Sequence, residues 1–203
     1  MDMPVDLLLG LVAFAAVMCF TPGPNNTMLM ASGLNFGFAR SLPHVLGVSL
    51  GFAGMVVAVG VGLGRVFEAV PELYQLLRIA SIAYLLWLAW SIARTDNTGD
   101  GAATGEPMTF LGAALFQWIN PKAWVIALGA ATTYVMTGAY AASLAIMAVV
   151  FCLTGFASSA AWAGFGSFLQ RLIANRQVVR RINVAMALLL VVSLVPTLRE
   201  MMR

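Results

Sequence analysis

Two short runs hold the side chains of this chain that can do chemistry: Thr21-Pro22-Gly23-Pro24-Asn25-Asn26 and Gln117-Trp118-Ile119-Asn120-Pro121-Lys122. Each sets proline and strongly polar groups inside an otherwise apolar stretch. Proline has no N–H to give the carbonyl four residues earlier. Pro22 therefore frees the carbonyl of Met18, Pro24 that of Phe20 and Pro121 that of Gln117. Past each break a new helix starts with its first N–H groups unpaired. Bare carbonyls and bare donors then stand close together, and a small molecule carrying both an ammonium and a carboxylate can use both. Its carboxylate suits the donor ends at Asn25–Thr27 and Lys122–Trp124, where the helix dipole favours an anion by about 0.3–1 kcal/mol, up to ~2 when partly buried. Its ammonium suits the freed carbonyls and the amide oxygens of Asn25, Asn26, Asn120 or Gln117. The candidate binding residues are Pro22, Gly23, Pro24, Asn25, Asn26, Gln117, Asn120, Pro121 and Lys122.

Lys122 sharpens the expectation. A lysine at the centre of a membrane helix costs about 2.5–3.5 kcal/mol on insertion scales and normally faces a cavity or a partner. No acidic residue lies near it in sequence. One reading gives it the substrate carboxylate; the other has it snorkel or cap backbone carbonyls. Asn25 and Asn26 divide in the same way between ligand and helix cap. Gln117, one turn before Pro121, either lines the same cavity or bonds its own freed carbonyl region. His44 and Arg78 read as interfacial side chains at span ends, and Cys19 and Cys152 as two membrane-buried thiols without a CxxC spacing. No Asp or Glu falls within a span core, so neither a proton carrier nor a metal-ligand set is visible. No cofactor and no metal is expected, and the formal net charge of +3 is too small and dispersed to suggest nucleic acid.

The elements that must position these groups are membrane helices. Hydrophobic residues make up 61% of the chain and charged ones 9%, against about 25% charged in soluble domains. A span needs about 20 apolar residues. Six candidates emerge at 5–36, 43–64, 72–93, 109–134, 140–168 and 182–198, the first and fourth interrupted by the prolines. Lipid tolerates broken backbone only where protein or a wet cavity satisfies it. Paired breaks in two halves point to a transporter's binding site. The acidic start, Asp2 and Asp6 with no Lys or Arg, argues against a signal peptide and for a retained first span. The polar stretch 95–108 separates half-repeats at about 1–94 and 109–203 within one transmembrane domain covering 1–203. Three spans per half is odd, so a duplicated half enters the membrane inverted. The expected fold is all-α: six transmembrane helices as an inverted three-plus-three repeat, helices one and four broken at proline.

Orientation follows basic residues in the links. Arg40, Arg94, Arg171, Arg176, Arg180 and Arg181 share one side; Arg65, Arg78, Arg199 and Arg203 share the other. The first side is assigned to the cytoplasm, with both termini outside. Gly47-x-x-x-Gly51 and Gly60-x-x-x-Gly64 offer close-approach surfaces, for packing within the bundle or for a homodimer. Trp87 and Trp90 read as interfacial anchors.

The run Thr21–Asn26, followed by Gly47-Val48-Ser49-Leu50-Gly51-Phe52, Ala83-Tyr84-Leu85 and Gln117-Trp118-Ile119-Asn120-Pro121-Lys122-Ala123, resembles the LysE/RhtB family of amino-acid exporters nearly end to end. The resemblance implies an inner-membrane secondary-active efflux protein for an amino acid or derivative, coupled to protons, and no enzyme. The PGPNN form looks closest to the branch exporting cysteine and O-acetylserine. Relatives that export lysine or arginine tend to carry an acidic residue near Phe52, and its replacement here implies a neutral substrate. Ser81 stands where family members often have glycine, a small change expected to leave function alone. Two alternatives come from related membrane proteins. A thiol–disulfide electron conduit would use Cys19, but Cys152 is not beside Pro121. A divalent-cation exporter would need ligands that the core lacks.

Overall fold

The computed structural model describes residues 3–63, 69–95, 106–173 and 175–201, and every element among them is helical. In chain order these are α1 (Val5–Phe20), α2 (Pro24–Phe36), α3 (Phe38–Ala58), α4 (Pro71–Ala93), α5 (Phe110–Ile119), α6 (Pro121–Tyr134), α7 (Tyr140–Leu172), α8 (Arg176–Val192) and α9 (Val195–Met201). Arg65, Glu68, Arg203 and most of the polar stretch 95–108 lie outside the described residues.

Four stretches are long and apolar enough to cross a membrane: Phe38–Leu63, Gln75–Ala93, Thr137–Leu172 and Gln177–Arg199. Counting α1 and α2 as one span bent by 55° makes five. The chain is thus a multi-pass membrane protein. Leu9, Val17, Leu115, Leu153, Phe168 and Leu188 stand exposed on its outside, where apolar surface faces lipid at no cost. Trp87 and Trp90 are about half exposed, as anchors at a membrane interface would be.

Local chemistry sets the helix ends. Thr109 caps α5 through the Gly112 N–H, Asn120 caps α6 through the Lys122 N–H, and Asn175 caps α8 through the Gln177 N–H. Pro24 and Pro121 each open a helix, where the missing N–H is harmless. Gly37, with φ of 79°, makes the turn from α2 to α3 that a side chain would strain. The arginines at 176, 180 and 181 extend α8 by about six residues beyond the sequence boundary at 182, so they form its first turns and not a loop.

α2 sits at the centre. It is buried almost all round, from Pro24 to Asn35, although only 13 residues long. Its main neighbour is α7, which at 33 residues runs about 50 Å. α3 packs against α7 and α5, and α4 against α8. One core cluster joins α1, α3, α6 and α7 around Phe52, Trp124, Met147 and Phe151; a second joins α2, α4, α5 and α8 around Leu85, Phe116, Met186 and Leu190. The small-residue stripe of α3 packs inside this bundle. A Cβ on Gly47 would fall 2.3 Å from the Phe110 carbonyl oxygen, and one on Gly51 2.5 Å from the Ala114 Cα. The stripe is thus occupied by α5, which removes the argument for a homodimer built on it.

Candidate functional site

The two breaks meet. α1 ends at Phe20 and α2 opens at Pro24, leaving Thr21-Pro22-Gly23 as a non-helical crossing; Asn120 alone separates α5 from α6. Lys122 reaches from the second break into the first, its Nζ donating to the Thr21 carbonyl at 2.5 Å. Asn25 and Gln117 exchange amide hydrogen bonds across the same junction, at 2.8 and 3.2 Å. Residues 92 positions apart are tied by both ends of two amides, which fixes the separation of the half-helices.

Most freed backbone is already satisfied. Asn26 donates from one Nδ2 to the carbonyls of Cys19 and Thr21, both at 2.9 Å, and Ser158 on α7 adds a second bond to Cys19 at 2.8 Å. The carbonyls holding side-chain donors therefore lie one residue on from Met18 and Phe20. At the second break the Trp124 indole takes the Trp118 carbonyl, Ser81 takes that of Ile119, and the Asn120 N–H takes that of Gln117. Ser81, which stands where family members often have glycine, thus caps the carbonyl at the end of α5.

Two cavities flank the junction. The inner one, about 50 Å³, is walled by Asn25, Asn26, Asn120, Lys122, Ser158 and Phe52 among others. That volume holds a few waters, at about 10–15 Å³ each. The outer one, about 410 Å³, is walled by Pro22, Pro24, Pro121, Lys122, Arg78 and Thr197 among others. Only Gly23 and Lys122 border both. Lys122 thus stands at both cavities while its ammonium holds the Thr21 carbonyl. Gly23 leaves room for it: a Cβ there would fall 2.9 Å from Lys122 Cδ.

Of the nine sequence candidates, Gly23, Asn25, Asn26, Asn120 and Lys122 thus face the inner cavity, while Pro22, Pro24 and Pro121 face the outer one. Gln117 borders neither; it is fully buried behind Asn25, which it orients. Sequence reasoning missed Ser158, Ser159 and Gly155 on α7, whose small polar character inside an apolar helix was the available signal. Arg78, read from sequence as interfacial, lines the outer cavity beside the prolines. Phe52 closes the inner cavity edge-on to Phe151, ring centroids 5.4 Å apart. An aromatic wall there offers a cationic side chain no counter-charge.

The doubled acceptors make one consequence measurable. Asn26→Leu removes one donor from each of two carbonyls that keep Ser158 and Lys122, so the cost should be about 1–3 kcal/mol. Thermal unfolding of detergent-purified protein should fall accordingly. An unchanged midpoint would show that Asn26 does not hold the break.

This assembly, apolar helices interrupted at proline around a small cavity with polar side chains in its wall, suits a membrane translocator and not an enzyme. The family model described as LysE type translocator matches residues 16–195, and the chain belongs to that family. It is 32% identical over 191 residues to proteins named cysteine/O-acetylserine efflux protein in Escherichia coli (strain K12), Escherichia coli O157:H7 and Shigella sonnei (strain Ss046). Each match covers 93% of this chain and 96% of the relative. No solved structure matches the chain. Cys19 and Cys152 are unbridged, and no cluster of His, Cys, Asp or Glu fit for a metal exists among the described residues.

Proposed function

We propose that the chain exports cysteine, O-acetylserine or a neutral amino acid of similar size from the cytoplasm across the inner membrane, by secondary-active exchange for protons. The observation that carries this reading is Lys122, a cation that borders both cavities and, among the described residues, donates from its ammonium to one backbone carbonyl. An ammonium has three donors, so a carboxylate arriving in the inner cavity can be met by the same group. The ammonium of the ligand meets the amide oxygens of Asn25 and Asn120. Phe52 and Ser158 border the side of the cavity left for a small side chain. Binding and unlocking then share one residue, which ties passage to occupancy.

The same reading takes α1–α2 and α5–α6 as broken spans one and four of six, related as inverted repeats. Part of the packing supports it, while α2 lies far more extensively on α7 than its counterpart α6 does on α3. α1 lies on α7 as α5 lies on α3, and the self-matched pairs α3 with α7 and α4 with α8 sit together. The names of the relatives support the substrate class, and Phe52 supports neutrality.

Growth at toxic external amino acid tests it. Cells overproducing the protein should resist cysteine and O-acetylserine and stay sensitive to lysine and arginine analogues. Resistance confined to the basic compounds would sink the neutral assignment.

A further inference from the structure

A second polar cavity, away from the two breaks, contains a histidine that the site does not use. His44 on α3 is 2% exposed, and neither Nδ1 nor Nε2 has a hydrogen-bond partner among the described residues. From sequence it reads as a solvated interfacial side chain; the structure buries it. It borders a cavity of about 150 Å³ lined also by Ser32, Asn35, Ser91, Thr95 and Glu106. On the water scale above this is room for roughly ten waters. Glu106 is exposed at its rim.

We infer that His44 is the proton-carrying site of this exporter, loaded and emptied through the water of that cavity with Glu106 at its mouth. This rests on the proton-exchange reading given above. A packing role explains His44 poorly, because Leu or Phe would fill the space without burying two unpaired ring nitrogens. An imidazole is the side chain whose unperturbed charge change lies nearest neutral pH, and among the described residues no Asp or Glu is buried to compete for the task.

The position also supplies the link to substrate. His44, Val48 and Phe52 follow at four-residue spacing on one face of α3, and the last two wall the inner cavity. α2 spans both places as well, with Asn25 and Asn26 at one end and Ser32 and Asn35 at the other. A charge gained at His44 thus acts on the two helices that form the substrate wall.

Among the described residues, few other charges face the ring, and Glu106 is the charged one that lines the cavity. Arg40, one turn earlier on α3, stacks over Phe36, and Arg94 on α4 stacks over Trp90. The facing part of α2, residues 28–36, carries no titratable group, and α7 carries only Tyr140, Cys152 and Arg171. α8 reaches the region through Asn183, which pairs with Asn35, while its Arg180 and Arg181 line a separate surface recess.

Purified protein in liposomes, with radiolabelled cysteine under reducing conditions, tests this. Acid inside should drive wild-type accumulation of about tenfold per pH unit for each proton exchanged. His44→Gln should abolish that accumulation and keep the wild-type rate of exchange between labelled and unlabelled cysteine at equal pH. Wild-type accumulation in His44→Gln overturns the inference alone. Loss of both accumulation and exchange in His44→Gln and His44→Asn also overturns it, since a packing residue fails that way. A wild-type protein that ignores the pH gradient instead defeats the proton-exchange reading itself, and the inference with it.

Discussion

Lys122→Met should cut export roughly ten- to a hundredfold while the protein reaches the membrane at its normal level. The magnitude comes from one charge-assisted hydrogen bond, worth about 1.5–3 kcal/mol, lost from the bound carboxylate. Abundance should hold because the Thr21 carbonyl keeps its Asn26 bond when the ammonium is gone. Methionine fills nearly the same space and removes an ion that lipid-facing helices accommodate only at a cost. A purely structural lysine predicts the reverse: reduced abundance, with normal export per molecule. Lys122→Arg should rescue poorly, since the wider guanidinium must fit where the gap beside Gly23 is already short of a methyl group. Export per molecule in membrane vesicles, normalised to immunoblot signal, separates the two cases. Normal export by Lys122→Met would remove this residue from the mechanism.

The positions of both breaks could be read from proline spacing alone, because a missing N–H acts locally whatever surrounds it. So could four of the six apolar stretches, those at 43–64, 72–93, 140–168 and 182–198, each of which is a helix long enough to cross lipid. What sequence could not supply was the partner of each freed group. Asn26 on Cys19 and Thr21 is a contact across a bend of 55° between helices, and Ser158 reaches the same carbonyl from 139 residues away. Gln117 was legible as polar but not as oriented, and it turned out to serve Asn25 and not the cavity. His44 was misread as solvated for a physical reason. It sits near the end of an apolar run, where hydropathy alone suggests an interface, and only the neighbouring helices decide whether the side chain is buried there instead. The glycine stripe on α3 shows the same limit, since its spacing announces close approach without naming the helix that approaches.

Gly33→Ala should destabilise the protein more than any other single-methyl change in the bundle, and Gly33→Val should leave no folded protein to purify. At Gly33 a Cβ would stand 2.0 Å from the Ala163 carbonyl oxygen; at Gly166, the reciprocal position, 2.1 Å from that of Met30. Both obstacles are backbone, so no rotamer can relieve them. α2 and α7 would have to separate by more than an ångström, at the upper end of or beyond the ~1–3 kcal/mol typical of overpacked cores. α2 is buried on nearly every side, so a shift away from α7 also strains its ties to the other helices, Asn25 to Gln117 and Asn35 to Asn183. Its first turn carries Asn25 and Asn26, so a helix pushed off α7 also draws Asn26 from the Cys19 carbonyl that Ser158 shares. Export should therefore fall along with stability. Gly54→Ala is the matched control: its Cβ meets nothing within 4 Å, and alanine in an exposed helical position should stabilise by up to about 1 kcal/mol. Unfolding midpoints in detergent that coincide for Gly33→Ala and Gly54→Ala would mean that α2 and α7 do not touch as described, and the site they frame would have to be rebuilt.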